Sequence, residues 1–217
     1  MPPLGYIISF VHFHERGFAS PSTQFFQGLL QHYGLELQRL NLNGIQHFST
    51  FVAQCEGFLG VPPVFNLFLY FFSVSPIKAR VGDELHHAPI GCASVHLRGG
   101  GGGKSTRAGE YMPIPLTKDN KGWSSSWFYV KNHGEAPLPA FSGRFLTDKP
   151  PVWEYGPEKE EQEKLSGLLA AIKLLKNRGL TGAGVVGANH KRRVAPILVW
   201  ALPLDEMKPG APADAVA

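Results

Sequence analysis

Residues 43–60 read NGIQHFSTFVAQCEGFLG, and this stretch decides the fold. Ile45, Phe48, Val52, Cys55 and Leu59 recur at alternating steps of three and four, the spacing that lines one face of an α-helix. Phe51 and Phe58 widen the stripe, which places this face deep in a core. Asn43 offers a capping side chain ahead of it, and Gly60 with Pro62-Pro63 stops it.

Working outward, the next apolar run, Val64–Ser73, reads as a further helix, apolar nearly all round and central to the bundle. On the other side, Ser20-Pro21 reads as a helix start, followed by Phe25, Phe26, Leu29, Leu30 and Tyr33 on one face and by Gly34 as the stop. Phe25, Phe26, Leu29, Phe48, Phe51, Val52, Cys55, Leu67 and Phe71 are the expected core. The run 64–72 is too short for a membrane span, which needs roughly 20 apolar residues.

The character changes near Pro76. Ala93–Leu97, Tyr111–Leu116 and Trp127–Val130 look like strands of a small antiparallel sheet, with Trp127, Phe128 and Tyr129 expected to anchor it to the helices. Five consecutive glycines, Gly99–Gly103, read as an exposed loop, and Pro137–Pro157 as extended and irregular. Glu158–Arg178 reads as one long helix with acids at its start, cations at its end and Gly179 as its stop. Thr181 then opens a shorter element to about Val194. The expectation is an α+β fold: a mainly helical core, a small antiparallel sheet and a C-terminal helical pair. The boundaries read as 1–150 for core and sheet, 151–207 for the C-terminal helical segment and 208–217 for a disordered tail.

Of 217 residues, 12% are aromatic and 15 are Phe, enough apolar bulk for a sizeable core. The formal net charge is +4 and the isoelectric point about 9.1. Residues 1–75 hold only Arg16 and Arg39 against Glu15, Glu36 and Glu56, so an anionic partner should meet the second half. Two cysteines, Cys55 and Cys92, make no disulfide framework and fit a reducing, intracellular setting, cytoplasmic or nuclear.

Enzymatic readings fail on the residues. Gly103-Lys104-Ser105 echoes a phosphate-binding loop, but the position that must hold its first glycine is Arg98 and no amphipathic helix of useful length fits after it. His12, His14, His86-His87 and the pair Cys92 and His96 lack the doubled ligand spacing of a zinc site. No serine elbow, aspartic-protease half-site or metal-binding carboxylate set is present. No cofactor, catalytic residue, membrane contact or small-molecule substrate is therefore expected. The remaining candidate is His190-Lys191-Arg192-Arg193, a basic cluster at a helix end that could contact a nucleic-acid backbone without reading bases.

The order of motifs along residues 8 to 200 resembles the gypsy-type transposon domain of plant, chiefly grass, retroelement proteins. The resemblance is carried by Phe10–Phe18 with its Arg16-Gly17-Phe18 ending, by Gly28–Leu37, by Leu40–Ile45 with Phe51–Gly60, and by Gly122-Trp123, Trp127–Val130, Leu138–Arg144, Leu175–Gly182 and Arg192–Pro196. It implies a gag-like or accessory role in a transposable element, with self-association or element RNA or DNA as partners. It supplies no catalytic residues. Ile197–Leu204 departs from the pattern, being apolar where the family continues basic.

Overall fold

The structure, a computed structural model, describes residues 2–19, 22–81, 84–86, 88–99, 107–117, 120–132, 137–146 and 148–196. The expected loop at Gly103-Lys104-Ser105, the Ser20-Pro21 helix start, His87, the Ile197–Leu204 run and the 208–217 tail lie outside them.

Strand β1 (Tyr6–Phe10) leads into a short helix α1 (Val11–Glu15), then α2 (Gln24–Tyr33), α3 (Leu42–Gln54) and α4 (Phe65–Phe71). Helix α4 passes directly into strand β2 (Phe72–Pro76), followed by β3 (Ala79–Val81), β4 (Glu84–His86) and β5 (Ala93–Leu97). Next come α5 (Arg107–Glu110), β6 (Trp127–Lys131), α6 (Lys159–Lys164), α7 (Ser166–Asn177) and α8 (Gly182–Asn189). The class is α+β, as expected. The strands form antiparallel pairs, β1 with β6, β2 with β5, and β3 with β4.

The caps differ from the expected ones. Thr23, inside the expected first helix, caps α2 by accepting from the Phe26 amide at 3.3 Å. Asn41, not Asn43, caps α3 through the Gly44 amide at 2.7 Å, while the Asn43 side chain donates to the Thr117 carbonyl at 3.3 Å. Gly34 and Gly60 end their helices in the left-handed region, at φ 59 and 69. Helix α3 closes in a π-helical turn, Cys55–Leu59, so its stripe is continuous to Leu59.

The expected helix over Val64–Ser73 is shorter. Phe72 and Ser73 leave it to pair with Leu97 and His96 of β5, because ladder hydrogen bonds and aromatic burial outweigh the helical pattern of the run. The expected strand Tyr111–Leu116 joins no strand among the described residues, since Pro113 and Pro115 remove two amide donors. It runs beneath the helices with Tyr111, Met112 and Ile114 buried, and Gln46 Nε2 donates to the Pro115 carbonyl at 3.3 Å. The expected helix Glu158–Arg178 breaks at Leu165, ahead of Ser166-Gly167, a pair that commonly kinks helices. Its start is a reciprocal cap between Glu158 and Glu161.

All nine expected core residues are buried except Phe25, which is half-buried. Phe48 stacks on Phe68 at 5.0 Å and Phe68 on Phe72 at 4.7 Å, joining α3, α4 and β2. Phe26 meets Phe48 edge-on at 5.2 Å. The C-terminal segment seals this core. Trp153, 1% exposed, donates its indole N–H to the Tyr33 carbonyl at 2.8 Å, meeting one of the carbonyls that the end of α2 leaves unpaired. Arg98 donates to the Leu69, Glu154 and Tyr155 carbonyls at 2.7, 2.6 and 2.5 Å.

Of Trp127, Phe128 and Tyr129, only Phe128 meets a helix, its ring 5.2 Å from that of His14 on α1. The three are 50%, 40% and 43% exposed. The β1–β6 ribbon is also held through Ile7 and Phe10, both buried. Trp123 packs 4.8 Å from Phe10 and 5.2 Å from Phe13.

Two predictions test this core. Phe48→Ala removes a ring that meets Phe26 of α2 and Phe68 of α4 and should destabilise the chain by about 3–5 kcal/mol in urea unfolding; a loss under about 1 kcal/mol would mean surface-like behaviour. His47 lies under Phe72, and burial, aided by His96, lowers its pKa from 6.5 to about 4. The folded chain thus holds it neutral while the unfolded chain protonates near 6.5. Its contribution is full above that value and declines as pH falls toward 4. Between pH 7.5 and 5 it should lose about 2 kcal/mol, a loss that His47→Leu should remove from the shift in urea midpoint. Burial lowers His14, His32 and His96 as well, with the same sign.

Candidate nucleic-acid interface

The basic cluster is positioned by a glycine-built turn. Gly179, at φ 92, ends α7, with its amide bonded to the Lys176 carbonyl at 2.9 Å and that of Leu180 to Leu175 at 3.0 Å. Thr181 caps α8 through the Gly184 amide at 3.1 Å. Gly182 lies so close to Pro113 that a Cβ there would sit 2.1 Å from the Pro113 carbonyl oxygen, so no larger residue fits. The expected element from Thr181 to Val194 is α8 followed by a π-helical turn, His190–Val194.

Helix α8 packs on α3, with the last turns of both side by side. Val186 shares a cleft with Gln46 and Thr50, Ala188 and Asn189 share one with Ala53, and Arg193 pairs with Glu56. Asn189, 6% exposed, is wedged where a Cβ on Gly17 would meet its Nδ2 at 2.9 Å. Ser49 donates to the Arg16 carbonyl at 2.6 Å in the same seam. Two helix C-termini therefore converge, each finishing in a π-helical turn.

That convergence sorts the four candidates. Glu56 sits at the negative end of α3, where a carboxylate is disfavoured, and the Arg193 guanidinium offsets it through a direct hydrogen bond. Arg192 lies over the same turn, with Nη1 3.0 Å from where a Gly57 Cβ would be. His190, Lys191 and Arg192 are exposed and Arg193 is half-buried. Arg193 is thus engaged in holding α8 to α3, while His190, Lys191 and Arg192 present the outer face. Glu56 and Gly57 join the site from 130 and more positions away in sequence, with no local signal to announce them.

His14, His96, Cys55 and Cys92 are held in structure, while His12 bonds Glu15 at the surface. His14 bonds Ser9 at 2.9 Å, and His96 bonds Ser73 at 3.1 Å. Burial raises the Cys55 thiol to about 12 and shifts Cys92 upward, suppressing thiolate at neutral pH. Among the described residues no cluster of three or more His, Cys, Asp or Glu could hold a metal ion, and no helix is long and apolar enough to cross a membrane.

No curated protein and no solved structure matches the chain. Residues 7–76 match a family described as "Putative gypsy type transposon", whose label is that of a transposase. That span runs from β1 to the last residue of β2 and includes the Phe48, Phe68 and Phe72 stack. Over residues 7–76 the chain is therefore similar to the gypsy-type transposon family, the family its motifs resemble.

Proposed function

We propose that the chain is a non-enzymatic, gag-like accessory domain of a plant gypsy-type transposable element, acting by association with its own kind and with element nucleic acid. One observation carries this reading. In the family-matched segment, three groups otherwise suited to chemistry are spent on packing. His47 is held neutral with a pKa of about 4, Cys55 is pushed up to about 12, and the Tyr33 hydroxyl is raised by burial. Such groups are poised for stability and not for proton or acyl transfer at neutral pH. The transposase label of the family points toward an enzyme, so a catalytic assay belongs beside the binding one. Purified chain should sediment as more than monomer and carry RNA, and should not nick or join DNA in the presence of magnesium. A monomer free of nucleic acid would overturn the reading.

A second reading, a backbone-binding module, is favoured by the outward face of His190, Lys191 and Arg192. Phosphate contacts release counterions, so affinity should fall steeply with salt. Lys191→Glu combined with Arg192→Glu should flatten the plot of log affinity against log salt by about 0.7 per lost contact on a single strand. Arg193→Ala, which touches the Glu56 pair, should leave that slope unchanged. Equal slopes in all three proteins, measured by fluorescence anisotropy, would remove the cluster from the interface.

A further inference from the structure

Strand β6 has one edge in use and one edge open. The amides that bridge β1 and β6 at the ends of the ribbon, Asn132 to Gly5 at 2.8 Å and Val11 to Ser126 at 3.1 Å, fix the phase of the ladder. With the register Ile7 opposite Val130 and Ser9 opposite Phe128, the backbone groups of Phe128 and Val130 point at β1. Those of Trp127, Tyr129 and Lys131 point the other way. No described residue bonds that outer edge. The far side of β1 differs, since Gln38 Nε2 covers it by donating to the Ile8 carbonyl at 2.5 Å.

The open edge also carries exposed aromatic surface. Trp127 and Tyr129 share one face with their rings 5.3 Å apart, followed by exposed Lys131. A strand edge with outward donors and acceptors, and large rings half in water, is a template for another strand.

We infer that this edge pairs with the same edge of a second copy of the chain, antiparallel and two-fold symmetric about Tyr129. Symmetry then sets the register. Tyr129 faces Tyr129 of the second copy, and Trp127 faces Lys131 of the second copy. Every outward N–H and C=O at 127, 129 and 131 finds a partner, because these positions recur at the two-residue period of the ladder. The side chains agree with that register: ring meets ring at the dyad, and on either side an ammonium meets an indole. A parallel pairing would set the lysines side by side. The two ribbons become one four-stranded sheet, β1-β6 continued into β6-β1 of the second copy, the closed symmetric contact usual in dimers.

This inference rests on the self-associating part of the function proposed above and can fail separately from it. Cysteines placed on the edge test it in the full chain, because the native Cys55 and Cys92 are buried. At the dyad the Cα atoms of a hydrogen-bonded pair lie about 5.5 Å apart, within disulfide reach. With oxidised glutathione as oxidant, Tyr129→Cys should give a covalent dimer at least about ten-fold faster than Trp127→Cys, whose counterpart across the axis is Lys131. Tyr129→Lys, which sets like charges opposite each other, should sediment as monomer with an unchanged circular dichroism spectrum. If Trp127→Cys links as fast as Tyr129→Cys, or neither links, the edge pairing is wrong. If Tyr129→Lys assembles as the parent does, association uses another surface and the gag-like reading stands without this one. If the parent is monomeric yet carries RNA, the edge falls and the nucleic-acid part of that reading remains.

Discussion

Stacking of Phe48 on Phe68, and of Phe68 on Phe72, is the contact on which the rest depends. It ties α3 to the short α4 and to the first residue of β2, so one column of rings passes through a helix, a helix and a strand. Rings of this size bring large apolar area and a strong preference for offset or edge-on geometry. That combination sets the angle at which α4 turns into β2, and β2 in turn aligns β5. Phe26 and Phe51 close the column from the sides. Substituents that fit the column survive on α4 even though its seven residues are too few for independent helicity.

Periodicity made this column legible. The steps of three and four through Ile45, Phe48, Val52, Cys55 and Leu59 depend only on which face is apolar, and a buried face must be so throughout. Asn41 and Asn43, or Ser20 and Thr23, are chemically equivalent offers of a cap, two and three residues apart in the sequence. Only backbone geometry chooses between them. Strand pairing was harder still. The run from Val64 to Ser73 is equally apolar on either side of Phe71, and its division is imposed by β5, more than twenty residues downstream. Trp127, Phe128 and Tyr129 have the residue type of a sheet anchor, yet type does not reveal which face of a ribbon meets the helices.

The basic cluster shows the same division between local and distant information. Its three fixed cations, Lys191, Arg192 and Arg193, and the helix end that carries them are plain in the chain. Glu56 and the packing of α8 on α3 are not, although they decide that Arg193 is committed inward. Two helix ends that meet concentrate unpaired carbonyls, and such a place draws cations whether or not any partner exists. A charge cluster of this kind therefore divides into members that serve the fold and members that remain available. The division follows from which side chain reaches across the seam.

The bond from the Trp153 indole to the Tyr33 carbonyl joins residues 120 positions apart. On the ribosome, the family-matched segment emerges well before residue 153 does. Until then the end of α2 keeps an unmet carbonyl, and the ring cluster beside it stays open to water. The nascent chain is thus most exposed to misassembly during that interval, and translation speed between residues 76 and 153 sets how long it lasts.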